Sequence, residues 1–225
     1  LEELVAAAPV EKPVATRASS GTILQKAAAL VPALYGGAAD LAPSTKTDLK
    51  GVPYFSPENR AGRNFHFGVR ELGMGFIANG MALFGAAIAY SSTFFVFSDF
   101  MKPAIRLAAL QKLPVIYVFT HDSFFVGEDG PTHEPIEQLA MLRTIPGMTV
   151  IRPAEAIECA HAWAHAITAQ SPVALILTRQ DLRPLCECAR PKIALEKGAY
   201  VVSCEEGFEY ILIGTGSELN LALDT

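Results

Sequence analysis

Between residues 64 and 178 the sequence alternates short apolar runs with helical stretches, and this alternation leaves the chain few folds to adopt. Residues 115–120 (VIYVFT) and 173–178 (VALILT) are apolar on consecutive positions, so both faces of each strand need cover. Such strands belong to a parallel sheet with helices above and below it. Residues 34–37, 64–67, 86–90 and 149–151 read as further strands. Residues 70–83, 94–111, 136–143 and 154–169 read as helices. Ser19 and Ser20 are expected to cap an earlier helix, which Pro32 ends near Val31. The expected fold is α/β, a parallel sheet with helices on both faces, over residues 14–183.

The ends read differently. Residues 1–13 suit a short amphipathic stretch followed by a linker broken at Pro9 and Pro13. Residues 184–197, with Pro184, Cys186, Cys188, Pro191 and Lys192, suit a second linker. Residues 199–202 and 210–213 then read as strands, and 214–217 as a turn opening a helix. Residues 198–225 are thus expected to be the first part of a second α/β domain.

Composition narrows the function. A chain that is 51% apolar and 18% charged is not a disordered one. With 18 basic and 23 acidic residues it carries a net charge of −5, which disfavours a nucleic-acid partner. So little charge also implies apolar surface that meets another chain or domain. No apolar run reaches the ~18 residues of a membrane span, and no signal-peptide pattern is visible. Cys159, Cys186, Cys188 and Cys204 have neither zinc spacing nor a disulfide framework, so all four are expected to be free thiols. A reducing compartment fits: the cytoplasm first, a plastid or other organelle second.

Four clusters carry possible chemistry. The first follows the 115–120 strand and holds His121, Asp122, Ser123, Glu128, Asp129 and His133. Ligands of open parallel sheets bind beyond the carboxyl ends of the strands, so this loop is well placed to move protons or hold a polyol. A metal is less suited, because a His-to-His step of twelve is not a usual ligand spacing. The second is His66–Glu71. Glu71 opens an apolar helix, where a carboxyl loses hydration and can share a proton near neutral pH; the plainer alternative is a first-turn acid serving the helix dipole. Gly73, Gly75, Ala78 and Gly80 on this helix invite close approach of another helix. The third is Phe94, Phe97 and Phe100, three apart on one face, either core packing or a platform for a planar ring. The fourth runs from Gly36 to Ser44, where paired glycines let backbone approach a ligand. Near the end, Gly214–Ser217 could cradle an anion at a helix start.

Together these segments resemble the transketolase family. The likeness rests on residues 36–44, 66–74, 92–100 and 121–135 occurring in the family's order, with 174–180 in addition, and it runs from about Pro13 to the end. It implies the pyrimidine-binding domain of a thiamine-diphosphate enzyme, followed by the start of the family's C-terminal domain. The domain that holds the diphosphate and its divalent metal, Mg or Ca, has no counterpart in these residues, so no metal ligand is expected among them.

By position, Glu71 matches the glutamate that hydrogen-bonds the aminopyrimidine ring nitrogen. Phe97 matches the ring that stacks on the pyrimidine, with Phe94 and Phe100 completing the pocket. Asp40 and Leu41 match residues beside the cofactor. Arg17, Ser44, His121, His133 and Arg179 resemble the set that grips the sugar-phosphate end, and Asp129 a contact to a sugar hydroxyl. Two positions depart from the family: Phe100 stands where Tyr is frequent, and Ala38 where Ser is frequent. The implied activity is transfer of a two-carbon ketol unit from a ketose phosphate to an aldose phosphate. The implied partner is the diphosphate-binding domain of a second subunit in a homodimer, with the Glu71 helix at the interface. The alternatives are a sister enzyme such as dihydroxyacetone synthase or deoxyxylulose-phosphate synthase, and a non-catalytic subunit that only dimerises.

Overall fold

The structure is a computed structural model describing residues 1–187 and 193–225. Cys188, Pro191 and Lys192 of the expected linker lie outside the described residues. Six parallel strands form the sheet: β2 (Leu34–Ala38), β3 (Asn64–His66), β4 (Ile88–Phe94), β5 (Val115–Thr120), β6 (Thr149–Ile151) and β7 (Val173–Leu177). Their spatial order is β3-β2-β4-β5-β7-β6. A small antiparallel pair, β1 (Val14–Ala15) with β8 (Asp181–Leu182), brings the two ends of this region together, and a short helix, α3 (Ala42–Thr45), follows β2.

Alternate side chains of β5 feed two cores. Tyr117 and Phe119 point to one face, with Met74 and Ala78 of α4 (Glu71–Phe84), Ile105 of α5 (Ser98–Gln111) and Leu142 of α6 (Gln138–Arg143). Ile116 and Val118 point to the other, with Leu4 of α1 (Glu2–Ala6), Leu24 of α2 (Thr16–Leu30) and Trp163 of α7 (Ala156–Thr168). Trp163 meets Tyr90 edge-on at 6.4 Å, and its indole N–H donates to Ser20 Oγ at 2.8 Å.

Several sequence expectations change. Helix α2 starts at Thr16, before Ser19 and Ser20, so neither caps it. Thr16 is fixed there instead by Thr178, whose backbone N–H donates to its hydroxyl at 2.7 Å. Residues 94–97 are not helical from the outset: Phe94 ends β4, and Phe95–Phe97 form a 3-10 turn before α5. Gly36 and Gly37 make room for neighbouring strands, not for a ligand. A Cβ on them would lie 2.1 Å from the Tyr90 carbonyl oxygen and 2.0 Å from that of Phe65. Gly75 serves α5 of the same chain, where a Cβ would come within 2.8 Å of Ala104 Cβ.

Residues 199–202 and 210–213 form no strand; Tyr210 and Ile213 are 83% and 90% exposed. A strand needs a neighbour, and no sheet of the described residues offers them one. The expected helix after 217 does form, as α8 (Glu218–Asp224). Cys159 and Cys204 are free, but Cys186 is disulfide-bonded, against the expectation of four free thiols. The spacing rule behind that expectation weighs scaffolds of several bridges and does not bear on a single bond. Among the described residues, no helix is long and apolar enough to cross a membrane.

Candidate active site

The chain runs outward from β2 to β3 and then crosses back to β4 on the other side of β2. That reversal opens a crevice at the carboxyl edge, the usual place for a ligand in this architecture. The pairing register sets Phe94, Thr120 and Leu177 in one row across β4, β5 and β7. The residues that follow the strands therefore emerge side by side. Two of them, Asp40 (φ 63°) and His121 (φ 60°), hold left-handed backbone conformations. Non-glycine residues seldom adopt this region, and those that do cluster at functional sites.

Arg17, Ser44, Phe94, His121, Asp129, His133 and Arg179 line one cavity of about 430 Å³ at this edge. They come from five segments of chain, with His121, Asp129 and His133 all in the loop after β5. Arg17 lies in the first turn of α2, and its Nη1 donates to the Ser44 carbonyl at 2.9 Å. The same Nη1 faces His121 Nε2 at 3.5 Å. A guanidinium only donates, so Nε2 is the unprotonated nitrogen and Nδ1 carries the hydrogen. Nδ1 then donates to Thr120 Oγ1, 2.8 Å away. Burial, followed by the charge of Arg17, pushes the His121 pKa down to about 4, with Asp129 working against the fall. His121 is therefore neutral at physiological pH. Burial, followed by the charge of Arg179, also lowers the pKa of Arg17. Two guanidiniums close enough to disturb one another make a cavity suited to an anion. Arg179 meanwhile reaches Glu128 Oε1 at 3.2 Å on the exposed side.

An aromatic row leads out of the cavity. The Phe94 ring lies 3.7 Å from the His121 ring, and Phe94, Phe97 and Phe100 stack in sequence at 6.1 Å steps. His133 stands edge-on to Phe97 at 5.4 Å. Phe97 is half-buried and Phe100 exposed, so the row presents ring surface outward. Glu71 is buried in the first turn of α4, and the Thr93 hydroxyl donates to its Oε1 at 3.2 Å. Thr93 adjoins Phe94, so the carboxyl and the ring row hang from one strand end. Asp40 is exposed and Leu41 half-buried; both follow β2 and lie outside the cavity lining.

Residues 12–184 match the family model "Transketolase, pyrimidine binding domain". The chain belongs to this family. It is 54% identical over 219 residues to the transketolase of Halalkalibacterium halodurans, covering 96% of this chain and 33% of the relative. It is 55% identical to that of Geobacillus stearothermophilus, covering 94% and 32%. The chain thus spans about a third of these relatives' length. The solved structure of transketolase from Leishmania mexicana superposes with a TM-score of 0.93 at 39% identity, over 98% of this chain and 33% of that one. A split-gene transketolase, described as an inactive beta4 tetramer, gives 0.61 at 30% identity, over 80% of this chain and 55% of the other.

The sequence named all six polar residues that line the cavity. It missed two hydroxyls, Thr120, which holds His121, and Thr93, which holds Glu71. Their signal was faint, a Thr at the last or next-to-last position of a strand. It also missed Arg152, which follows β6 at the same edge. The expected anion cradle at Gly214–Ser217 turns out to face a cation. Arg152 Nη1 donates to the Thr215 carbonyl at 2.9 Å, and Nη2 to Ser217 Oγ at 3.1 Å.

Proposed function

We propose that this chain is the pyrimidine-side part of a transketolase that moves a two-carbon ketol unit between sugar phosphates. What supports the reading is the cavity itself: two guanidiniums, two imidazoles and a carboxylate converge beside a ring row whose strand end also holds a buried carboxyl through Thr93. A phosphate dianion suits the arginines, whose planar donor forks match its oxygens. Asp129 would accept from a sugar hydroxyl. Neutral His121, its Nε2 turned toward Arg17, would help aim that guanidinium at the phosphate, while His133 and Ser44 would complete the grip.

The donor set also fits thiamine diphosphate: a buried carboxyl with one oxygen already engaged, next to aromatic rings with open faces. The cofactor, when bound, supplies a nucleophilic carbon and an electron sink for cleavage beside a ketose carbonyl. Glu71 would share a proton with the aminopyrimidine ring nitrogen, its carboxyl held in orientation by Thr93. Phe97 would stack on that ring, with Phe94 and Phe100 closing the pocket and Asp40 and Leu41 beside it. The diphosphate and its Mg or Ca would be held by the diphosphate-binding domain of a second subunit. The outer side of α4 would meet that subunit, since Leu72, Phe76, Ile77, Leu83 and Phe84 are exposed there. A cytoplasmic setting accords with this role.

The test is ketol transfer in the complete enzyme carrying Glu71→Ala. Loss of a positioned proton-sharing group is expected to lower turnover about 10²–10⁴-fold. Activity near wild type would refute the role. The split-gene neighbour motivates a second reading, a subunit silent by itself. Turnover that appears only when a separate diphosphate-binding polypeptide is added would select it.

A further inference from the structure

Beside the cavity, one buried guanidinium joins two distant parts of the chain. The Arg152 side chain is 6% exposed, and it uses most of its donors. Nε and Nη2 donate to Asp122 Oδ2 at 3.0 and 2.5 Å. Nη1 pairs with Glu218 Oε2 and the Thr215 carbonyl, and Nη2 with Ser217 Oγ and Glu218 Oε1. The Asp122 side chain is fully buried, and its other oxygen accepts from Ser123 Oγ at 3.3 Å. Backbone geometry supports the same picture independently. Gly216 has φ 59°, and a Cβ there would lie 2.6 Å from Arg152 Cγ and 2.8 Å from its Nε. The turn 214–217 is wrapped against this arginine.

Asp122 directly follows His121, whose left-handed backbone survives only if its surroundings enforce it. On one side Thr120 holds the imidazole; on the other, Arg152 holds Asp122. We propose that Arg152, Asp122 and Glu218 form a positioning clamp for the anion cavity, through which the docked segment 215–218 keeps His121 Nε2 turned toward Arg17. The clamp acts through His121 and touches no substrate. Its expression as sugar-phosphate affinity rests on the proposed function, whereas its effect on an anion in the cavity does not.

Glu218→Gln in the complete enzyme is the suitable probe. It removes one charge from the more exposed end of the clamp and leaves Asp122 paired, so the fold is kept. The KM for a phosphorylated acceptor is expected to rise about tenfold, as a displaced binding group would cause, with kcat unchanged within about twofold. The KM for an unphosphorylated acceptor stays put, and inhibition by inorganic phosphate weakens by the same factor as the phosphorylated acceptor. Ser217→Ala moves these constants the same way by less. Unchanged constants, or equal losses for both acceptors together with a lower thermal midpoint, would overturn the clamp. If the wild type transfers no ketol unit, the proposed function fails by itself. Calorimetry with inorganic phosphate then decides the clamp: weaker binding by Glu218→Gln supports it, while equal binding, or none by the wild type, overturns it.

Discussion

Val118 and His121 are three residues apart on the same strand and its exit, and both are buried, yet different forces hold them. Val118 sits in a relaxed strand, packed among Leu24, Trp163 and Leu175. His121 sits in a disfavoured backbone conformation, held by the hydroxyl of its neighbour Thr120 and by Arg17 from far along the chain. The middle of the sheet is stable because apolar area leaves water. Its carboxyl edge gathers like charges and strained backbone that folding alone does not favour. Substitutions in the middle should therefore cost stability, and substitutions at the edge should cost binding or chemistry.

The sharpest contrast is expected from Trp163→Ala. Removing a fully buried indole, and leaving Ser20 without its donor, should cost about 3–5 kcal/mol in urea unfolding. That is a large part of a typical domain's stability. A loss below about 1 kcal/mol would break the comparison.

Next in size is an effect of acid at the edge. Free histidine binds a proton near 6.5, whereas folded His121 does so only near 4. The unfolded chain thus takes up the proton first. Stability owed to this group is intact above pH 6.5 and falls as pH drops toward 4, by about 3 kcal/mol in all. His121→Asn tolerates the left-handed backbone and should flatten that part of the urea midpoint against pH. An unchanged acid limb would mean that His121 is not held neutral.

The smallest effect on folding is expected on the outer side of α4. Phe84 is 83% exposed, so Phe84→Ser should change the unfolding free energy by no more than about 0.5 kcal/mol. The same change should weaken self-association in sedimentation, if that side meets a second subunit as proposed. Unaltered assembly would place the contact elsewhere.

How far the sequence could be read follows the same division. Strands β5 and β7 were legible because continuous apolar runs report cover on both faces. The start of α5 was less so, since Phe94, Phe97 and Phe100 keep a helical step of three straight through the 3-10 turn that precedes the helix. Cavity residues were legible through their likeness to a family, not through spacing, because Arg17 and Arg179 meet only after folding. The Arg152 clamp left no local trace, since its partners lie 30 and 66 residues away. Residues 210–213 form no strand although Tyr210, Ile211, Leu212 and Ile213 are an apolar run, because such a run reports strand propensity without reporting whether a neighbour exists.

The central claim is that the cavity between Arg17 and Arg179 grips the phosphate of a sugar. Arg179→Ala in the complete enzyme tests it most directly, with KM measured for a phosphorylated acceptor and for its unphosphorylated counterpart. Loss of one charge-assisted contact should raise the first about tenfold or more and leave the second within about twofold. An equal rise in both would contradict the claim.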